Sequence, residues 1–153
     1  MTPVLYILMR TDLPSMNAGK AMAQASHASN AFVHRMERHG TPNETLNALR
    51  PAWMAETNQG FGTVLVLAAD LWKINSIMEK VPSLKDVYAE KIIDPTYPYQ
   101  VTGEIANLIK KDMPIFKGDG LFVLTREEVT CAYLFGDKDG AAGSLVSELK
   151  LHP

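Results

Sequence analysis

Residues Val4 to Met9 read Val-Leu-Tyr-Ile-Leu-Met, six in succession without a charged side chain. Side chains alternate across a strand, so a strand with this composition is apolar on both faces and needs cover on both. A loop follows from Arg10 to Asn17, punctuated by Asp12, Pro14, Ser15 and Asn17. From Ala18 to about Arg38 there is no proline, one glycine near the start, and six alanines from Ala18 to Ala31, which predicts a helix. A doubly covered strand that leads straight into a helix points to an α/β sheet with helices on either side.

The rest of the chain continues that pattern. Thr41-Pro42-Asn43-Glu44 reads as a capping box with Thr41 at the N-cap, opening a helix to about Thr57. Phe61 to Ala69 is a second buried strand, and Asp70 caps a helix carrying Leu71, Ile74, Ile77 and Met78 at helical spacing. Val87 to Ile93 predicts a one-sided strand ending at Asp94-Pro95, and Ile105, Leu108 and Ile109 a short amphipathic helix. Gly120–Leu124 and Val129–Phe135 resemble a pair of strands, and Gly140–Leu151 a final helix with Leu145, Val146 and Leu149 inward. The order β-α-α-β-α-β-α-β-β-α gives an α/β sandwich on a central sheet. With no linker, repeat or low-complexity tract, residues 1–153 are expected to form a single domain.

Composition narrows the function. Fifteen basic against seventeen acidic residues, net charge −2, weigh against coating nucleic acid by bulk charge. The charge is uneven, however. Residues 1–50 carry five basic groups, Arg10, Lys20, Arg35, Arg38 and Arg50, against three acids. That leaves room for a modest positive surface around Lys20, with Arg10. The single cysteine excludes a disulfide within the chain, and no apolar run approaches the roughly 18 residues of a membrane span. No Cys/His spacing suits a metal, and the expected compartment is a reducing cytoplasm.

The densest chemistry lies in the strand–loop–helix unit. The crevice beyond a strand's C-terminal end is the usual ligand site of an α/β sheet, and free N–H groups at a helix start suit an anion or oxyanion. Gly19 permits close approach, and Lys20 places a full charge in the first turn, against the helix dipole, so Asp12 or a bound anion should compensate it. Lys20 reads equally as a solvated surface lysine. Lys20, Gln24 and His27 share one helix face, beside a stripe of Ala21, Ala25, Ala28 and Phe32 suited to packing on a sheet. His27 is a general base or, more simply, a histidine bonded to a neighbouring carbonyl. Asp94, at a strand end before Pro95, either turns the chain or serves the chemistry. Cys131 reads as a small buried hydrophobe. There is no P-loop, no G-x-S-x-G elbow and no G-x-G-x-x-G after any strand.

Arg10, Asp12-Leu13, Met16, Gly19-Lys20, Gln24 and Ser26-His27-Ala28 together resemble the signature of type 2 peptidyl-tRNA hydrolases, directly after the first strand and with one extra residue before Met16. Lys91-Ile92-Ile93-Asp94 is similar to that family's strand ending in a functional aspartate, and Leu149-Lys150-Leu151 to its terminal motif. The resemblance implies a three-layer α/β/α sandwich around a mixed, mostly parallel sheet of about four strands. It implies hydrolysis of the ester joining a peptide to the tRNA 3′ end, no cofactor, and a possible homodimer. Lys20 would bind the substrate's charge or stabilise the oxyanion, and Asp94 would orient water or hold Lys20. Gln24 would position the ester, and Thr96 and Thr130 are the candidate hydroxyls. Arg10, Asp12, Gly19, Ser26 and His27 would line or support the substrate site.

Two departures stand out. Pro95 follows the aspartate, and an insertion near 101–128 replaces a short link, forming a lid, an extra hairpin or another specificity surface. Counting back from Gly136 puts Cys131 at the family's last threonine, whereas Thr130 requires a one-residue bulge, and a one-residue slip reverses a strand's faces. The leading reading is a peptidyl-tRNA hydrolase acting through water. The rivals are a homologue that binds tRNA or another partner without turnover, and a hydrolase of small esters or amides.

Overall fold

A computed structural model describes residues 1–40, 43–101, 115–118 and 121–153. β1 (Pro3–Arg10) is buried along its whole length. It lies between β2 (Val64–Ala69), its parallel neighbour, and β5 (Leu121–Asp137), its antiparallel one. β3 (Val87–Val101) pairs antiparallel with the other side of β5, giving the order β2-β1-β5-β3, and β4 (Ile115–Gly118) also pairs with β5.

Alternation along β1 divides the core. Leu5, Ile7 and Met9 join Ala21, Ala28, Phe32 and Met36 of α1 (Ala18–His39) and Leu46, Leu49 and Trp53 of α2 (Glu44–Met54). Val4, Tyr6 and Leu8 join Ile74 and Ile77 of α3 (Leu71–Lys80) and Ala142 and Val146 of α4 (Ala141–Val146). The result is the three-layer α/β sandwich that a strand apolar on both faces demands. The alanine stripe of α1 lets it lie close on the sheet, and Phe32 meets Trp53 edge-on at 5.6 Å between ring centroids.

Several local expectations change. The sheet is mixed, but β1–β2 is its one parallel pairing among the described residues. α2 is capped by Asn43, whose side chain accepts from Leu46 N at 3.0 Å, rather than by Thr41, which lies with Pro42 outside the described residues. β2 begins at Val64 and is half-buried, because it is an edge strand. The pair of strands expected at Gly120–Leu124 and Val129–Phe135 is one continuous strand, β5. Its polar middle, Thr125 to Glu128, mimics a turn in sequence, yet pairs with Asp94, Tyr97 and Pro98 of β3 across a shift in register.

β3 likewise runs on to Val101, so both ends of the expected insertion belong to the sheet. The helix expected around Ile105–Ile109 lies outside the described residues. α4 stops at Val146 because the following chain turns to cover the open edge of β2: Ala68 N donates to Lys150 O at 2.8 Å and His152 N to Val66 O at 2.9 Å.

Candidate active site

The loop after β1 is held from two sides. Arg10 is 6% exposed and makes four hydrogen bonds through its guanidinium. Its Nε and Nη2 donate to the two oxygens of Asp12 at 2.8 and 3.0 Å, and its Nη1 to Glu128 Oε1 at 2.7 Å and Val129 O at 2.9 Å. Two carboxylates thus neutralise this guanidinium internally, and the expected share of Arg10 in a positive surface is corrected: a buried charge needs partners, and these balance it inside the protein. Asp12 also accepts from Leu71 N, at 3.3 Å, tying the loop to α3. Hydrogen bonding from Arg10 holds the Asp12 carboxyl below the ordinary aspartate value. Burial alone would raise Glu128, but hydrogen bonds from Tyr99, Arg126 and Arg10 outweigh it and hold that carboxyl low as well.

Asn17 caps α1, its side chain accepting from Lys20 N at 2.9 Å. The Lys20 ammonium donates to Pro98 O at 3.0 Å and sits 5.3 Å from the centre of the Tyr97 ring. The compensation expected from Asp12 therefore comes from a carbonyl and an aromatic face. Ser15 Oγ donates to the same Pro98 oxygen at 3.1 Å, which clamps the loop onto β3. Burial lowers the pKa of Lys20 from the usual lysine value.

One turn further along α1, Gln24 is 4% exposed. Its Nε2 donates to Asp94 Oδ2 at 2.7 Å, and its Oε1 accepts from Thr130 Oγ1 at 2.7 Å. The assignment is forced by chemistry. A carboxylate presents acceptors only, so the amide nitrogen must face Asp94 and the oxygen Thr130. The second oxygen of Asp94 accepts from Thr96 N at 2.9 Å. Asp94 is thus bonded to Gln24, not to Lys20, and no ion pair joins Lys20 to Asp94 among the described residues.

Thr130 reaches Gln24 through a β-bulge. Ile92 pairs with Cys131 and Ile93 with Val129, which leaves Thr130 as the extra residue of β5. Cys131 belongs to the core beneath α1, and Thr130 beside it also turns its hydroxyl toward α1. Without the bulge these neighbours would face opposite sides. Cys131 Sγ lies 3.6 Å from Gln24 O, and burial pushes its thiol up to about 12.

A cavity of about 500 Å³ opens between α1 and β3, lined by Gln24, His27 and Ala31 on the helix and Glu90 to Thr96 on the strand. It brings together Gln24, His27, Asp94 and Thr96 of the expected residues. Lys20 lies beside it at Tyr97-Pro98, Gly19 and Ser26 are exposed on α1, and Arg10 and Asp12 stand behind the loop. Among the described residues, no serine or cysteine side chain is hydrogen-bonded to a histidine. Tyr97, Tyr99 and Glu128 were not singled out from the sequence. The period-two spacing of Tyr97 and Tyr99 around Pro98 was an available signal, and their rings do meet, 5.3 Å apart.

Fold and site together define an α/β sandwich with an acid–amide–hydroxyl relay at a strand end and a lysine alongside. A family model described as peptidyl-tRNA hydrolase PTH2 matches residues 3–103, and the chain belongs to that family, whose general activity is peptidyl-tRNA hydrolysis. The matched range holds Lys20, Gln24 and Asp94 and ends before Thr130. No curated protein matches the chain. Among the described residues no helix is long and apolar enough to cross a membrane.

Proposed function

We propose that this chain cleaves the ester between peptide and tRNA by direct attack of water, with Asp94, Gln24 and Thr130 ordering the water and Lys20 stabilising the oxyanion. The observation that carries this reading is the continuous relay Thr130–Gln24–Asp94–Thr96, one helical turn from a lysine inside a strand–loop–helix unit. Each Asp94 oxygen accepts one protein donor and keeps lone-pair capacity for a water. Water adds to the ester carbonyl carbon and gives its proton toward Asp94. The bond to the ribose oxygen then breaks, that oxygen takes the proton back from Asp94, and the products are free tRNA and a peptide acid, which ionises to the carboxylate by releasing its own proton to solvent. Lys20 uses one ammonium donor on Pro98 O and has two left for the developing oxyanion or a phosphate.

The reading treats residues 1–153 as one hydrolase-like domain, because β5 near the C-terminal end pairs with β1 near the N-terminal end. Arg10 and Asp12 shape the loop rather than touch substrate, and Ser26 and His27 border the entrance.

The test is release of tRNA from N-acetyl-aminoacyl-tRNA by the purified protein. A wild-type rate no better than that of Lys20→Ala overturns the catalytic assignment. Salt-sensitive tRNA binding without turnover would make the chain a binding homologue, and turnover of small esters alone would move it to the third reading.

A further inference from the structure

β3 has a neighbour on one side only, β5, and its other backbone edge is unpaired among the described residues. The cavity beside it is lined by an unbroken run of β3, every residue from Glu90 to Thr96. Successive strand side chains point to opposite faces, so a cavity that touches all of them follows the strand's backbone edge, not one of its faces. The opposite wall is α1, where Gln24, His27 and Ala31 share one helix face. The groove is therefore open along a row of main-chain donors and acceptors and closed on one flank by a helix.

The groove ends at the candidate site. Asp94 and Gln24 lie at one end of it, and there Pro95 has no N–H, which stops the ladder of donors. Glu90 to Asp94 covers four strand rises of about 3.3 Å each, the reach of about four extended residues. Ile93 is 53% exposed along this stretch, an apolar side chain left open beside a free edge.

We propose that this edge of β3 binds the peptide portion of the substrate as an added strand, leading its ester-linked end to Asp94. The proposal rests on the hydrolase reading and names what the site holds on its peptide side. An enzyme for peptidyl-tRNA meets peptides of every sequence, and main-chain pairing recognises the one feature they share. Every second added residue contributes affinity through its backbone, largely independent of its side chain.

The experiment compares the full chain acting on tRNA charged with N-acetyl-alanine and with N-acetyl-tetraalanine, and then on tetraalanyl substrates N-methylated at successive amides in turn. The longer peptide is expected to raise kcat/KM about tenfold, through KM, and methylation is expected to remove that gain at every second amide, the period of a strand. Equal rates for both lengths, or equal tolerance of every methylated amide, overturn the proposal.

A second readout separates it from the activity. Hydrogen exchange is followed with adenosine carrying N-acetyl-tetraalanine through a stable 3′-amide. Protection at residues 90–94 supports the groove even if no substrate is cleaved, a result that would remove only the hydrolase reading. No protection overturns the groove. Protection that appears with rising protein concentration alone assigns the edge to a second copy of the chain and also overturns it.

Discussion

The Thr130 hydroxyl donates to Gln24 Oε1 across 2.7 Å, and that bond anchors the amide whose direction the Asp94 carboxylate sets. Held from behind, the amide presents its N–H to Asp94. Asp94 is thereby oriented by a residue of β5 that it does not touch, through a side chain of α1. Gln24 and Thr130 are both buried, so loss of either partner strands a polar group away from water.

Thr130→Val removes the donor and keeps the shape. It is expected to destabilise the protein by about 1–3 kcal/mol, the cost of an unsatisfied buried acceptor. It should also lower kcat/KM on N-acetyl-aminoacyl-tRNA about tenfold, because the amide is no longer held. Thr130→Ser retains the hydroxyl and should recover most of the rate. Thermal melts and turnover on the three proteins measure this, and a Val variant as active as wild type would detach Thr130 from the site.

Asp94→Asn tests the other end of the relay. The substitution keeps the size but presents an amide that can no longer take a proton from water. A fall in kcat of about 10²–10⁴-fold is expected, with a melting temperature close to wild type. Single-turnover cleavage and a melt on the same preparation separate lost chemistry from lost folding.

How much of this was legible in the sequence followed the range of the interactions involved. β1 and α1 fall within a residue or two of where composition puts them, since strand formers and alanines act locally. Asp70 caps α3 as read, its side chain accepting from Lys73 N at 2.7 Å. What eluded the sequence depends on partners remote in the chain. β5 reads as two strands until β3 is laid beside it, and α4 reads as a longer helix until the open edge of β2 competes for the same backbone. That Thr130 and Cys131 both turn toward α1 depends on a bulge, which exists only relative to a paired strand. Arg10 looked like a surface charge because its partner Glu128 is 118 residues away.

If Lys20 serves the oxyanion as proposed, it should set an alkaline limit. Burial disfavours its charged form, so its pKa lies below the ordinary 10.5. The charged form is the one that stabilises an oxyanion, so the rate should fall as pH rises through that lowered value. Lys20→Arg keeps its charge past pH 12, so its alkaline limb should move upward even if the fork fits less well and lowers the plateau. Lys20→Ala should lose about 10²–10³-fold and show no such limb. The pH–rate profiles, corrected for spontaneous ester hydrolysis, decide the point.

Cys131 should be chemically silent. Its thiol is buried and held up to about 12, so almost no thiolate exists at neutral pH. The folded protein should resist thiol-specific reagents, with one equivalent reacting only after denaturation. Cys131→Ala should keep the wild-type rate within about twofold, since no interaction of the transition state is removed. Rapid labelling of the native protein with loss of activity would contradict both the burial and the water mechanism.

The Arg10 cluster predicts an acid limit to stability. Asp12 and Glu128 both have folded pKa values below their ordinary 3.8 and 4.5. A carboxylate with a depressed folded value contributes stability that is fully present above its unfolded value and is lost as pH falls through the folded one. Wild-type stability should therefore decline from about pH 5 downward. Arg10→Met leaves two carboxylates facing an apolar side chain, Glu128 with only 14% of its side chain exposed. At pH 7 this should cost about 3 kcal/mol, or roughly 10 °C in melting temperature. Without Arg10 both carboxyls take up protons more readily as pH falls, which removes buried charge from the variant, so the gap to wild type should narrow toward pH 3. Melting curves of both proteins across pH 3–7 measure it. A gap that stays constant would mean that Arg10 acts through packing alone and not through the charge it shares with Asp12 and Glu128.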